Sequence, residues 1–330
     1  MHIVLYHDAL IPPANYGGTE RIIYWLGKAL AARGLRVTLI AQPGSEIPGV
    51  EVIPLESHLH WTDLIPSQAD ILHLWSTPSE LPLKPFVVTI EGNGKPGECF
   101  HPNTIFISQK HAENHGSKHF VYNGIDPEDF QGFGKRGEDL VFLAKASWSV
   151  KNLSGAISVA RKAGLKLHVL GSRNCPLSVH RFFGNLGQIR YHGMVGDKEK
   201  REVLAQAKAL LFPVRWHEPF GIAITEALAS GCPVFGTPYG SLPEIISHDV
   251  GYLSADGNIL AEKIHEMKIS PATCRARLSQ GFTSHQMAGN YLTYYEKVLQ
   301  TGSLLNPGEP SPRTPATPAL TDLLPWIDAD

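Results

Sequence analysis

No stretch of this 330-residue chain approaches the ~18 uninterrupted apolar residues a membrane span requires, although 43% of its residues are hydrophobic. A spanning helix is therefore not expected. The opening MHIVLYHDAL lacks the basic start of a secretory signal and runs straight into a strand-like pattern, which predicts a cytoplasmic chain, at most peripheral to a membrane. Cysteine is scarce: Cys99, Cys175, Cys232 and Cys274 are scattered with no C-x-x-C among them. That argues against both a disulfide framework and a structural zinc site. Charged residues make up only 18% and nearly cancel, leaving a net charge of -2, so nucleic acid is not implied as a partner.

The charge is unevenly spread. Residues 1–132 hold 8 Lys+Arg against 14 Asp+Glu, whereas residues 133–300 hold 20 against 13. An anionic ligand is expected mainly on the second half, and the acidic first half favours a neutral or cationic ligand over an anionic bilayer.

Short apolar runs alternate with helical patterns, the mark of strand-helix repeats and parallel sheets. Strands are expected at HIVLYH, VTLIA, ILHLW, FVVTIEG, TIFIS and HFVYN in the first half. In the second they are LVFLAK, KLHVLG, IRYHG, ALLFPV, PVFGT and GYLS. The implied fold class is α/β: two Rossmann-like parallel-sheet domains whose strand ends face a central cleft. The expected boundaries are 1–132 for an N-terminal domain and 133–285 for a C-terminal domain. A hinge falls in the Gly-rich, charged segment 131–139, about which the domains would close. One long helical pattern runs from about Pro271 to Leu299, and its 286–301 part is a helix free to pack back on the N-terminal domain. Residues 302–330 are rich in proline and short of a core, so a mostly disordered tail is expected. Its apolar end, ALTDLLPW, has something to dock, but a solvated terminus is the expectation.

Chemistry belongs in the loops that follow strands. In HEPFGIAITEALASG, residues 217–231, a helix is expected to start near Pro219 and to be capped by Gly231. Glu226 then stands two turns along, displaced from Glu218 by on the order of 10 Å. Two carboxylates at that separation suit the hydroxyls at both ends of a ligand with a diphosphate in the middle. The backbone N–H groups of Phe220, Gly221 and Ile222 at the helix start would serve the diphosphate. The bland alternative is a dipole-complementing Glu218 and a solvated Glu226. In FLAKASWSVKN, Lys145 ends a strand and Lys151 opens the next helix, so two cations bracket one loop and would neutralise a leaving diphosphate; the alternative is two solvated lysines. PPANYGGTER sets Gly17 and Gly18 just before a helix expected from Thr19, a third anion-receptive loop. His111, His115 and His119 stand four apart, but no carboxylate or cysteine completes a set, and no metal site is expected.

In this order, GGTER, VYNGIDPEDF, FLAKASWSVKN, HEPFGIAITEALASGCPV and PYGSLPEII resemble family 4 of the retaining glycosyltransferases (glycosyl transferases group 1), which have the GT-B fold. The resemblance spans roughly residues 1–300, and its most specific piece is E-P-F-G-x(4)-E followed by A-S-G-C-P-V. It implies a metal-independent, hexosyltransferase-like enzyme of glycan biosynthesis with a UDP- or GDP-linked sugar as donor, no cofactor, and an unidentified acceptor: a glycan, lipid-linked glycan, small molecule or protein. Carried over, Glu226 would bind the ribose, Glu218 the donor sugar, and Phe220, Gly221 and Ile222 the sugar and diphosphate. Lys145 takes a place often held by arginine, and with Lys151 it would contact the diphosphate. Gly17 and Gly18 would approach the donor phosphate and acceptor, and the base would rest near Gly193 and Met194. One departure stands out. Where the family commonly has a histidine, this chain has Glu91, which alters recognition on that side or signals lost transfer; a nucleophilic Glu91 is a minor alternative. The rival readings are a non-catalytic GT-B nucleotide-sugar-binding or scaffold protein, and an epimerase or phosphorylase of the same architecture.

Overall fold

The computed structural model describes residues 1–13, 17–130, 136–171 and 188–330. The chain divides into two compact units: Met1–Asp126 with Gly281–Leu320, and Pro127–Gln280 with Thr321–Asp330. Grouped this way, the first unit carries 10 Lys+Arg against 14 Asp+Glu and the second 19 against 17. The expected contrast in charge keeps its sign but shrinks. The hinge expected at 131–139 lies, as far as residue 135, outside the described residues.

The first unit is built on a six-stranded parallel sheet of order β3-β2-β1-β4-β5-β6. Its strands are β1 (His2–Tyr6), β2 (Arg36–Ala41), β3 (Glu51–Pro54), β4 (Ile71–Leu74), β5 (Phe86–Ile90) and β6 (Thr104–Phe106). Helix α1 (Gly18–Ala32) follows β1, burying Ile22, Ile23, Leu26 and Leu30 at helical spacing. HFVYN, expected as a strand, makes only an isolated bridge between Phe106 and Phe120. The sixth strand is instead β3, four half-exposed residues ending in proline. His111 on helix α2 (Gln109–Asn114), His115 just after it and His119 beyond are all buried. His115 Nδ1 bonds the His111 carbonyl at 2.8 Å and its ring stacks on Phe106, so these imidazoles are core groups. Among the described residues no cluster of metal-ligand side chains occurs.

The second unit repeats the plan, with order β12-β11-β10-β7-β8-β9. The strands are β7 (Leu140–Leu143), β8 (Leu167–Leu170), β9 (Ile189–Gly193), β10 (Ala209–Phe212), β11 (Val234–Gly236) and β12 (Gly251–Leu253). Helices α3 (Leu153–Lys162), α4 (Asp197–Gln206), α5 (Ile222–Ala229), α6 (Leu242–Ile245), α7 (Gly257–Glu266) and α8 (Pro271–Leu278) connect and cover them. In each sheet the strand order reverses beside its first strand, at β1/β4 and at β7/β10. The loops leaving those strands therefore part to opposite sides and open a crevice.

The long pattern from Pro271 is two helices, α8 and α9 (Ser284–Thr301). Thr283 starts α9 with a capping box to Gln286, so the chain turns rather than continues. α9 packs on α1 and β5 of the first unit, where Tyr291 and Tyr295 are fully buried. His73 Nδ1 meets the Tyr295 hydroxyl at 2.7 Å, His73 Nε2 meets Thr89 Oγ1 at 2.7 Å, and Thr89 meets the Tyr291 hydroxyl at 2.9 Å. With every member partnered, this polar chain fixes one seating of the helix.

The segment expected to be a disordered tail is placed against each unit in turn. Residues 302–320 lie along the first unit, with Leu304 and Thr314 fully buried and Arg313 bridged to Cys99. Residues 321–330 lie on the second, where Ile327 bridges Asp256. Spaced apolar anchors and backbone bonds hold a segment whose composition alone looked solvated.

Candidate active site

Two loops build the centre of the site in the second unit, one after β7 and one after β10, on either side of its switch point. The β7 loop carries Lys145 and Lys151. Asn152 ends it at φ 56, capping α3 with its side-chain oxygen on Gly155 N (3.1 Å) while its amide nitrogen donates to Pro213 O (3.1 Å). One side chain thus ties the first loop to the second. Arg215 N adds a bond to Val150 O at 2.7 Å.

Glu218 lies on the β10 loop. Its Oε2 accepts from Lys151 Nζ and from Trp216 Nε1, each at 2.6 Å. The Lys151 and Glu218 side chains are only 11% and 7% exposed, so this is a desolvated pair and not a surface one. Lys151 Nζ also stands 4.8 Å from the Trp216 ring centroid and Lys145 Nζ 4.7 Å from that of Trp148. The two indoles meet edge to face at 6.4 Å. Both lysines are thereby held on one aromatic platform.

The helix expected from Pro219 starts three residues later, at Ile222, because Gly221 turns the chain at φ 89. Pro219, Phe220 and Gly221 are loop, and Phe220 is buried. Ile224 N donates to Gly221 O at 2.8 Å, leaving Ile222 and Ala223 as the opening helical N–H groups without an intrahelical acceptor. Glu226 is consequently the fifth residue of α5, ~6 Å along its axis from Ile222 and not two turns from its start. Gly231 at φ 78 closes the helix.

Glu226 is 4% exposed, and its Oε1 accepts from Lys200 Nζ, which also lies 3.0 Å from Asp197 Oδ1. The two glutamates therefore belong to two ion clusters. Gly193, at φ 77, ends β9 with its carbonyl accepting from Gly171 N at 2.8 Å, and Met194 beside it is 39% exposed. The loop after β11 lies flush on Glu218. Ser241 N donates to Glu218 O at 3.0 Å, and a Cβ on Gly240 would come within 2.4 Å of Glu218 N.

In the first unit Gly17 precedes α1, where a Cβ would fall 2.5 Å from Glu20 Oε2, and Gly18 is the helix's first residue. Glu91 follows β5. Burial pushes its carboxyl up to about 7, opposed first by the hydrogen bond that Asn123 Nδ2 donates to Oε2 at 2.7 Å.

Trp148, Trp216, Asp197 and Lys200 join this constellation without having been singled out from the sequence. Trp148 stands inside FLAKASWSVKN and Trp216 immediately before HEPFGIAITEALASG, so both were within reach. Lys200 sits in DKEKRE, a charge run that reads as a solvated helix face.

Residues 126–281 match the family Glycosyl transferases group 1. Over 111 residues the chain is 32% identical to N-acetyl-alpha-D-glucosaminyl L-malate synthase of Bacillus anthracis, covering 30% of this chain and 28% of that one. It spans less than half the length of the first curated relatives it matches. Among solved structures, AviGT4, a glycosyltransferase involved in avilamycin A biosynthesis, superposes with a TM-score of 0.77 at 22% identity, over 91% of this chain and 98% of that one. HepE of Anabaena in complex with UDP superposes at 0.67 and 16%, over 90% and 100%. At such identities the structures speak for the fold, which is GT-B as expected. Residues 126–281 thus match the Glycosyl transferases group 1 family, and the chain as a whole has the GT-B fold.

Proposed function

We propose that this chain is a retaining glycosyltransferase that moves a hexose-like sugar from a UDP- or GDP-linked donor to an acceptor hydroxyl without a divalent metal. The observation that carries the reading is the buried Lys151–Glu218 pair at 2.6 Å, on the two loops that flank the β7/β10 switch point. Lys145 and Lys151 neutralise the diphosphate as negative charge builds on it, the task a metal performs elsewhere. The opening N–H groups of α5 add a dipole of the same sense.

Glu218 accepts hydrogen bonds from the sugar and Glu226 from the ribose, while backbone at Gly193 and Met194 borders the base. In the transfer step the anomeric C–O bond to phosphate breaks, the acceptor oxygen bonds to that carbon from the same face, and its proton passes to a phosphate oxygen. No protein nucleophile takes part. Glu91, with its carboxyl pushed up to about 7, is partly protonated at neutral pH and supplies an O–H donor where family members have an imidazole. The HepE structures with UDP and with UDP-glucose favour a uridine donor as the first to try.

Thermal stabilisation by UDP, GDP, ADP and their sugars tests the reading, since ligands that bind the native state raise its melting temperature. Stabilisation by one nucleotide set, with turnover lost in Glu218→Ala and nucleotide affinity lost in Glu226→Ala, supports it. Unaltered donor turnover in both variants overturns it. Glu91 also motivates a second reading, a nucleotide-sugar-binding protein without transfer. Donor binding with neither hydrolysis nor product from a mixed acceptor pool would decide for that one.

A further inference from the structure

The last ten residues are bound to the loops that carry the donor-binding groups. Leu324 N donates to Arg215 O at 2.8 Å, and Arg215 Nε returns a bond to Leu324 O at 2.9 Å. Arg215 is three residues from Glu218 and bonds Val150, next to Lys151. One residue further, the Tyr239 hydroxyl donates to Pro325 O at 2.7 Å, reaching the β11 loop that lies on Glu218. Trp326 then covers the first turn of α3, where a Cβ on Gly155 would come within 2.8 Å of its ring. Gly155 is the residue whose N–H is capped by Asn152. Ile327 N and O pair with Ala255 O and Gly257 N, both at 2.9 Å, and Ala329 N bonds Ser158 Oγ at 3.3 Å. Trp326 and Ala329 pack against the core of this unit.

We infer that residues 321–330 are a strap that positions the donor-binding loops, with Leu324 and Trp326 as its positioning residues. It bonds the loops after β10 and β11 directly, at Arg215 and Tyr239, and reaches the loop after β7 through the first turn of α3. Six backbone or side-chain bonds hold the six residues Leu324–Ala329, and three of them reach the loops after β10 and β11 that the diphosphate and sugar need rigid. Ordering those loops before the ligand arrives removes that entropy from the binding step.

The inference rests on the proposed donor site, and the test separates the two. In the full chain, Trp326→Ala removes the cover on Gly155, and Leu324→Pro removes the one N–H that reaches Arg215 O. Leu323→Ser, at a side chain 52% exposed, is the control. UDP and GDP binding is titrated, and hydrogen exchange is followed in peptides spanning 145–156 and 213–221. Both strap variants are expected to weaken nucleotide binding by roughly 10-fold, within the range of ordinary site-to-site coupling. They should also speed exchange in both peptides, raise donor KM and leave acceptor KM unchanged. Trp326→Phe restores most of the affinity, and Leu323→Ser matches the parent. Should Leu324→Pro fail to fold, Tyr239→Phe deletes only the bond to Pro325 and should cost about 3-fold, as one neutral hydrogen bond does. Parent-like affinity and exchange in the strap variants, even with a lower melting temperature, overturn the inference. If the parent binds neither nucleotide, the donor site fails instead, and exchange in the two peptides still decides the strap.

Discussion

Lys151 and Glu218 are worth more to one another than their hydrogen bond implies, because neither has water to fall back on. Removing one partner of a buried pair leaves an uncompensated charge and costs about 3–5 kcal/mol. Lys151→Met should therefore lower unfolding free energy in urea by roughly 3 kcal/mol, and adding Glu218→Gln should recover most of that loss. Full additivity of the two changes would show that they do not share an interaction. Glu91 poses the opposite case, a carboxyl buried with too few donors. Its folded pKa of about 7 lies above the ordinary 4.5, so between those values the folded chain keeps a proton that the unfolded chain has released. Stability then falls as pH rises through that window and levels off above it. Glu91→Gln should abolish the slope, equal the parent near pH 4 and exceed it at pH 8 by on the order of 3 kcal/mol. Thermal melts across that range are the check, and an unchanged slope would place the charge elsewhere.

The loops of the second unit meet at Gly240, which has φ 62 and backbone of Glu218 where a Cβ would sit. Gly240→Ala must push the β11 loop away from Glu218 and should weaken sugar-nucleotide binding more than it lowers the melting temperature; parent-like affinity by calorimetry would show that the loop yields. Eleven of the twelve strands were legible as short apolar runs. The exception, β3, pairs at a sheet edge with only half its side chains sheltered, so it has no apolar run to read. HFVYN misled for the converse reason: Val121 is buried, but its run supports one bridge and no ladder. In the site, Lys145, Lys151, Glu218 and Glu226 stood out by spacing. The counter-charge of Glu226 did not, since Lys200 pairs with it across 26 positions. Pro219 suggested a helix start that Gly221 actually supplies, because a glycine at positive φ outranks a proline as the last residue outside a helix.

Composition predicted a loose tail, and the described chain has it fastened to both units in turn. Arg313 is the one basic residue after Lys297, and its backbone is bridged to Cys99. Trypsin should therefore leave the Arg313–Thr314 bond intact in the native protein and cut it promptly in urea; prompt native cleavage would mean a free tail. The chain passes from one unit to the other at 126/127, 280/281 and 320/321. That path has a consequence for biosynthesis. β1 to β6 leave the ribosome first, yet Tyr291 and Tyr295, which close their core onto His73 and Thr89, are translated after all twelve strands. The usual N-terminal-first order of assembly thus does not complete the first unit before the second sheet has been made. In a nascent chain that has emerged from the ribosome only as far as residue 280, the first sheet should stay protease-sensitive, and a resistant first sheet would show that α9 is dispensable to it. The half of the molecule that is made first is the half that must wait.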